Sequence, residues 1–419
     1  MKIKNNDNNN KALKTISNAN KKVVIILISS FTFIIVIAAF TLYYFLYSKI
    51  DSAIKKDEEL YFSVLFIDEN NEPYGAYVGV LSSLHNRIGL IGLPRNVALW
   101  KNKKENPIPL KELYKEGGDS SVFNAIENTV NKKITYKITL DNNSISDIID
   151  LIGGVKMYVE EPIHYVENNS LYNINFDIGE WMFHGNKVVS YLHYVTMKQY
   201  EDIETLYRLE DVIINLMISF IQSPELKSMI VRKDMRNAIY SKIKSNLRPP
   251  DIKAILKIIS NSNEKSLIVQ NIDARVDDKG ILNPLLEGSA FVKQMEDLAL
   301  YVGLKTERSE LNNEDVSLII LNGTDVSGLA DRINIRMRYR GFAAGEYGNF
   351  PAKVYNSIVL IRNGEIEKSF MVANECRISR IYAKTDRRLL NNAVLILGYD
   401  YYEIQWFKQN KKNDRQRNG

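Results

Sequence analysis

YFSVLFIDENNEPYGAYVGVLSSLHNRIGLIGL, residues 61–93, is the stretch on which the fold turns. Three apolar runs, 61–67, 74–81 and 86–93, are separated by DENNEP and SSLHN, both rich in turn-forming residues, so the spacing predicts three successive β-strands. Working outward, ITYKITL (134–140) and VKMYVE (155–160) read as further strands, and SLIVQNI (266–272) as a returning one. Helical patterning falls between them: SSVFNAIENTV (120–130) with Asp119 as its cap, SISDIIDLIG (144–153) ending at Gly153-Gly154, NKVVSYLHYV (186–195), and 203–222. More helix follows over 224–263, where PPDIKAILKIIS starts at its own proline pair, and over 289–302. Strands interleaved with helices indicate an α/β or α+β class, a mixed sheet flanked by helices.

The polar run KTERSELNNED (305–315) suits a linker, set at 304–315. Beyond it VSLIILNGT, GLADRINIRMRYRGF and AVLILGYDY read as strand, helix and strand of a small α/β domain over 316–405, followed by a basic tail, 406–419. The chain is 419 residues with 45% hydrophobic and 25% charged residues, ordinary globular values that exclude global disorder. One cysteine, Cys376, excludes an intrachain disulfide and a zinc site built from several thiolates.

Charge is unevenly placed. Six lysines against Asp7 give residues 1–22 a charge of +5, residues 408–419 carry +4, and the body between them is left at −4. The folded part therefore has no basic excess with which to hold nucleic acid through counterion release. Between Lys22 and Ser48, residues 23–47 contain no charge, proline or glycine, long enough at 1.5 Å per residue to span a hydrocarbon layer of ~30 Å. The expectation is one transmembrane helix across the cytoplasmic (inner) membrane. The lysine-rich residues 1–22 stay in the cytoplasm by the positive-inside rule, 48–60 form a linker, and everything beyond lies outside.

Several phrases then occur in a recognisable order: LIGLPRNV (90–97), the Gly117-Gly118 pair, IDLIGGVKMYVEEPI (149–163), FDIGEWMFHGNKVVSYLHYV (176–195) and EDIETLYRLEDVI (201–213). Over 61–303 the chain resembles the LytR-CpsA-Psr (LCP) family of membrane-anchored envelope proteins, and LIILNGTDVSGLADRINIRMRYRGFAAG (318–345) resembles the LytR C-terminal domain that often follows that core. The resemblance implies a pocket for a polyprenyl pyrophosphate-linked glycan and transfer of that glycan to a cell-wall polymer. Such a transfer needs arginine forks and a Mg²⁺ on the pyrophosphate oxygens, because charge relocates there in the transition state.

Carried over residue by residue, the resemblance makes Arg95, Arg208 and Asp202 the catalytic candidates. Arg95, Arg208, His193 and Asn96 become the substrate-binding ones, and Asp68 the metal ligand. The sequence departs from the family at several of these places: Asn96 stands for an Asp, His193 and Val195 for arginines, Thr205 for another Arg, and Tyr74-Gly75-Ala76 for Arg-Ser-Asp. A neutral His or Val does not replace a bidentate guanidinium. Two readings follow: a glycopolymer transferase using Arg95 and Arg208 on the pyrophosphate, or a catalytically degenerate relative that scaffolds or binds lipid-linked or wall glycans. A transcriptional role is disfavoured, since 22 cytoplasmic residues leave no room for a folded reader of DNA. The apolar run VIINLMISFI (212–221) reads as helix core, with lining for a lipid tail as the other reading. Arg332, Arg336, Arg338 and Arg340 read as a solvated helix face.

Overall fold

The computed structural model describes residues 29–401 apart from 31, 39, 42, 44–46, 57, 83–84, 103, 167–172, 195–200, 277–279, 284–289, 304–310 and 387–388. The two tails, much of the 23–47 span, Val195 and most of the 304–315 linker lie outside the described residues. Residues 32–38 are helical, and Phe33, Ile34, Ile35, Val36 and Ile37 are all exposed. Among the described residues no helix is long and apolar enough to cross a membrane.

The three leading strands form as expected: β1 (Leu60–Ile67), β2 (Pro73–Ser82) and β3 (Arg87–Pro94) make an antiparallel meander. Asn71 and Asn86, in the two turns, adopt φ of 63° and 52°, a left-handed conformation that asparagine tolerates. Gly79 of β2 faces Phe62 of β1 in register, and a Cβ there would meet the Phe62 ring at 2.5 Å, so the glycine makes room for the ring. After helix α1 (Lys49–Lys56), which precedes β1, come α2 (Leu110–Val130), β4 (Ile134–Asp141), α3 (Asn142–Leu151), β5 (Val155–Val159), β6 (Ile163–Val166), β7 (Asn173–Phe176) and β8 (Gly179–Phe183). They lead into α4 (Gly185–His193), α5 (Glu201–Gln222), α6 (Pro224–Ile230), α7 (Lys233–Ser241), β9 (Lys244–Ser245), α8 (Pro249–Ser260), β10 (Leu267–Asn271) and α9 (Ala290–Tyr301).

The main sheet has the order β9-β4-β1-β2-β3-β10. β4 runs parallel to β1 and β10 parallel to β3, and only β2 and β9 oppose them. The carboxyl ends of β1, β3, β4 and β10 therefore emerge at one edge of the sheet. That edge carries Asp68, Arg95, Asn142 and the loop after Asn271, where ligands settle in open α/β sheets.

Local rules account for the helix ends. α3 starts where Asp141 accepts the Ser144 amide at 2.7 Å, and stops at Gly153 and Gly154, with φ of 88° and 98°. α2 is broken at Gly117-Gly118, the second glycine at φ 60°. The Asp119 carboxylate, expected as a cap, instead accepts the Thr139 hydroxyl and pairs with Lys244 at 2.8 Å. The run 212–221 is core: Val212, Ile214, Met217, Ile218 and Phe220 are buried in the main cluster.

The C-terminal unit is larger than strand, helix, strand. It has β11 (Ser317–Asn322), α10 (Leu329–Tyr339), β12 (Ala343–Asn349), β13 (Ile358–Ile361), α11 (Ile366–Cys376), β14 (Ile381–Ala383) and β15 (Ala393–Leu397). The strands form a second sheet in the order β12-β11-β15-β13-β14. β12, AAGEYGN, is a mostly exposed edge strand without apolar alternation, which is why its sequence carries no strand signal. The two units meet along α5. Asn215 of α5 donates its side-chain amide to the Ala383 carbonyl at 3.1 Å and accepts the Ala383 amide at 3.0 Å, in effect adding a strand partner to β14.

Candidate functional site

At the carboxyl edge of the main sheet, Arg95 follows β3 and turns toward the first turn of α5. Its Nε donates to Asp202, and its Nη2 lies 3.1 Å from Glu201 Oε1. Burial works against the guanidinium charge, and Asp202 more than restores it. The small pocket here, about 60 Å³, is lined by Asp68, Tyr74, Arg95, His193, Glu201 and Thr205, among others.

On the other side of the pocket, Tyr74 donates its hydroxyl to Asn142 Oδ1 at 2.9 Å and lies 2.6 Å from His193 Nε2. His193 also faces Glu69 at 3.4 Å, and Asn142 donates to the same carboxylate at 2.5 Å. Asp68 accepts the Glu72 amide at 2.7 Å, and burial holds its carboxyl above the usual carboxylate range. Of the sequence candidates, Asp68, Arg95, His193 and Asp202 thus come together.

Asn96 and Arg208 do not join them. The Asn96 side chain turns away and donates to the Gly280 carbonyl at 2.6 Å, pinning the segment that returns to Leu282. Arg208 lies further along α5, buried, with Glu204 at 3.2 Å and its guanidinium 4.8 Å from the Tyr194 ring centre. It lines a different cavity, a cleft of about 320 Å³ between the main unit and the C-terminal one. Along α5, Glu201 and Asp202 lie in the first turn against Arg95, whereas Glu204, Arg208 and Asp211, at i, i+4 and i+7, line the cleft.

The interdomain cleft also holds residues that carry no signal in the sequence, because they come from loops and strands more than 150 residues apart. Arg362 pairs with Glu160 at 2.6 Å across the domain boundary. Lys384 donates to the Tyr191 hydroxyl at 3.1 Å, and that hydroxyl donates to Asp211 at 2.8 Å. Burial, then the Asp211 carboxylate, pushes Tyr191 up to about 12, while burial lifts Asp211 against the pull of Lys384.

Glu201 and Asp202 are committed to Arg95, and among the described residues no group of three or more His, Cys, Asp or Glu side chains is arranged to hold a metal ion. A Mg²⁺ at Asp68 would therefore take the rest of its octahedral shell from water and substrate phosphates. The other three histidines lie elsewhere: His164 contacts Asn175, His184 lies 3.6 Å from Asp150, and His85 meets the Ser82 hydroxyl through its amide.

No curated protein matches this chain. The solved structures similar to it include Bacillus subtilis TagV, at 16% identity, covering 58% of this chain and 98% of that one with a TM-score of 0.48. A transcriptional regulator from Enterococcus faecalis matches at 16% identity, covering 62% and 92% with a TM-score of 0.47. TagT bound to LI-WTA matches at 13% identity, covering 58% and 91% with a TM-score of 0.44. The model of the LytR_cpsA_psr family matches residues 78–295, more than half of the sequence, and that of the LytR cell envelope-related transcriptional attenuator matches 315–401. The chain is a member of the LytR-CpsA-Psr family, carrying a LytR C-terminal domain.

Proposed function

We propose that this protein is a membrane-anchored, envelope-facing member of its family that binds or scaffolds cell-envelope glycan without the metal-assisted transfer step. Family membership supports a role with cell-wall polymers and lipid-linked glycans. The charge-free run 23–47, with its exposed apolar helical residues 33–37, supports an anchor with the bulk of the chain outside the cytoplasmic membrane.

The observation that carries the reading is the double pairing of Arg95. Its guanidinium is shared between Asp202 and Glu201, and Asp68 lines the same pocket, so the site offers a pyrophosphate more negative than positive charge. A phosphoryl-transfer site needs the opposite balance, with cations where charge develops.

The test is incubation of the full chain in detergent with a polyprenyl pyrophosphate-linked glycan and a wall acceptor, with and without Mg²⁺. This reading expects no release of lipid phosphate in either condition. Mg²⁺-dependent release would establish the transferase reading in its place. Orientation is checked separately: protease added to intact spheroplasts should digest the body of the chain, and protection until the cells are opened would overturn the anchor.

A further inference from the structure

We propose that the basic surface built from α6, α7 and α8 rests on anionic lipid headgroups beside the anchor, giving the main unit a second attachment to the membrane. The inference rests on the anchor reading for the membrane itself. Residues 224–257 carry nine Lys or Arg against three Asp or Glu, a charge of +6, within a body whose overall charge is −4. So dense a cluster of one sign makes a local positive field.

The contacts of Tyr47 and Lys49 place this segment beside the end of the span. The Tyr47 amide donates to the Tyr43 carbonyl at 2.9 Å, so helical bonding from the apolar run reaches Tyr47. Arg248, which precedes α8, holds its guanidinium 5.3 Å from the centre of the Tyr47 ring. The Lys49 amide donates to Asp251 of the same helix at 3.0 Å, and Ser48 and Ile50 are buried. The chain therefore enters the fold directly from the apolar run, and the first turn of α8 is seated at its end.

Lys253 and Lys257 are exposed one turn apart on α8. At 1.5 Å per residue, Lys253 stands about 7.5 Å along the axis from Arg248. That lies inside the ~8–10 Å over which an anionic surface acts at physiological salt. Arg232, Lys242, Lys244 and Arg248 are each paired with a carboxylate. Lys233, Arg236, Lys253 and Lys257 enter no ion pair among the described residues, so their charge is left for an outside partner.

The place of this charge selects the partner. Lysine ammonium groups are point charges on flexible stems and meet phosphate headgroups without a fixed geometry. Each cation near an anionic surface strengthens attachment by about fivefold. Headgroups are held beside Tyr47 by the bilayer, so once the anchor is inserted their effective concentration is high, whereas a soluble polyanion must be brought there.

The experiment uses the full chain in lipid nanodiscs with Ser241→Cys, an exposed position at the end of α7. The native Cys376 is buried, so a thiol-reactive fluorophore marks position 241. Trace phosphatidylglycerol or phosphatidylcholine, carrying the same energy-transfer acceptor at the top of one acyl chain, is added to zwitterionic discs. Transfer to phosphatidylglycerol should exceed transfer to phosphatidylcholine by about twofold or more. The preference should fall toward equality in about 0.5 M salt and in the double variant Lys253→Gln, Lys257→Gln, whose thermal stability should match that of the unaltered chain. Equal transfer to both lipids, or a preference that the double variant retains, would overturn the surface. Loss of the preference on adding soluble poly(glycerol phosphate), at a phosphate concentration no higher than that of the discs, would assign the charge to a soluble polyanion instead. A chain that does not co-elute with the discs would overturn the anchor and this inference together, whereas co-elution with equal transfer overturns the inference alone.

Discussion

The Nε of Arg95 donates to the carboxylate of Asp202, a partner 107 residues further along the chain, and the neighbouring Glu201 takes the other side of the same guanidinium at 3.1 Å. The arginine that the sequence offers to a phosphate is thereby occupied from within. This arrangement fixes the first turn of α5 against the carboxyl edge of the sheet.

Releasing Arg95 should create anion binding. In the double variant Glu201→Gln, Asp202→Asn, the guanidinium loses both charged partners and keeps neutral ones, so inorganic pyrophosphate affinity should rise by about tenfold. Adding Arg95→Ala should abolish the gain. Isothermal titration at constant ionic strength reads both, and an unchanged affinity in the double variant would show that the two carboxylates do not hold Arg95 back.

The seam between the units should depend on one side chain. Asn215→Ala leaves the buried Ala383 amide and carbonyl without partners and removes the only residue described as pairing with both. The expected loss is about 2–5 kcal/mol. Urea unfolding should shift to lower midpoint and separate into two steps as the C-terminal domain detaches. A single unshifted transition would remove Asn215 from the seam.

The pH dependence at the sheet edge follows from Asp68, whose carboxyl is raised by burial, with Glu69 adding to the effect and His193 opposing it. A raised carboxyl disfavours its own ionised form in the fold. Its stabilising contribution is complete below the unfolded-state value and is lost as pH climbs through the raised folded value. Asp68→Asn removes this loss while keeping an oxygen to accept the Glu72 amide. Relative to the unaltered chain, the variant should gain a few degrees in Tm at neutral pH and lose that advantage below about pH 4. A pH-independent difference would contradict the assignment.

The segment just after the expected membrane span belongs to the fold. In α1, Ile50 and Ala53 are buried, and the Lys49 amide donates to Asp251 of α8 at 3.0 Å. Ile50→Ala should therefore cost about 2–5 kcal/mol, the usual range for emptying a fully buried aliphatic site. Chemical denaturation measures it. A cost below about 0.5 kcal/mol, typical of a surface position, would mean that α1 is a free tether.

The sequence by itself determined the three-strand meander, the helix stop at Gly153-Gly154, the helix boundaries near Pro249 and Gln222, and the family, because apolar period, turn residues and phrase order are local properties of the chain. It also brought Asp68, Arg95, His193 and Asp202 into one neighbourhood through the resemblance. Only the tertiary structure decided what those residues do with their charge. Which carboxylate an arginine meets depends on which strand ends share an edge and which face of α5 turns toward it, and no local pattern records that. The same reason hid the interdomain cleft: Tyr158, Arg208, Arg362 and Thr385 are unremarkable one by one, and line one cavity only when the second sheet packs against α5.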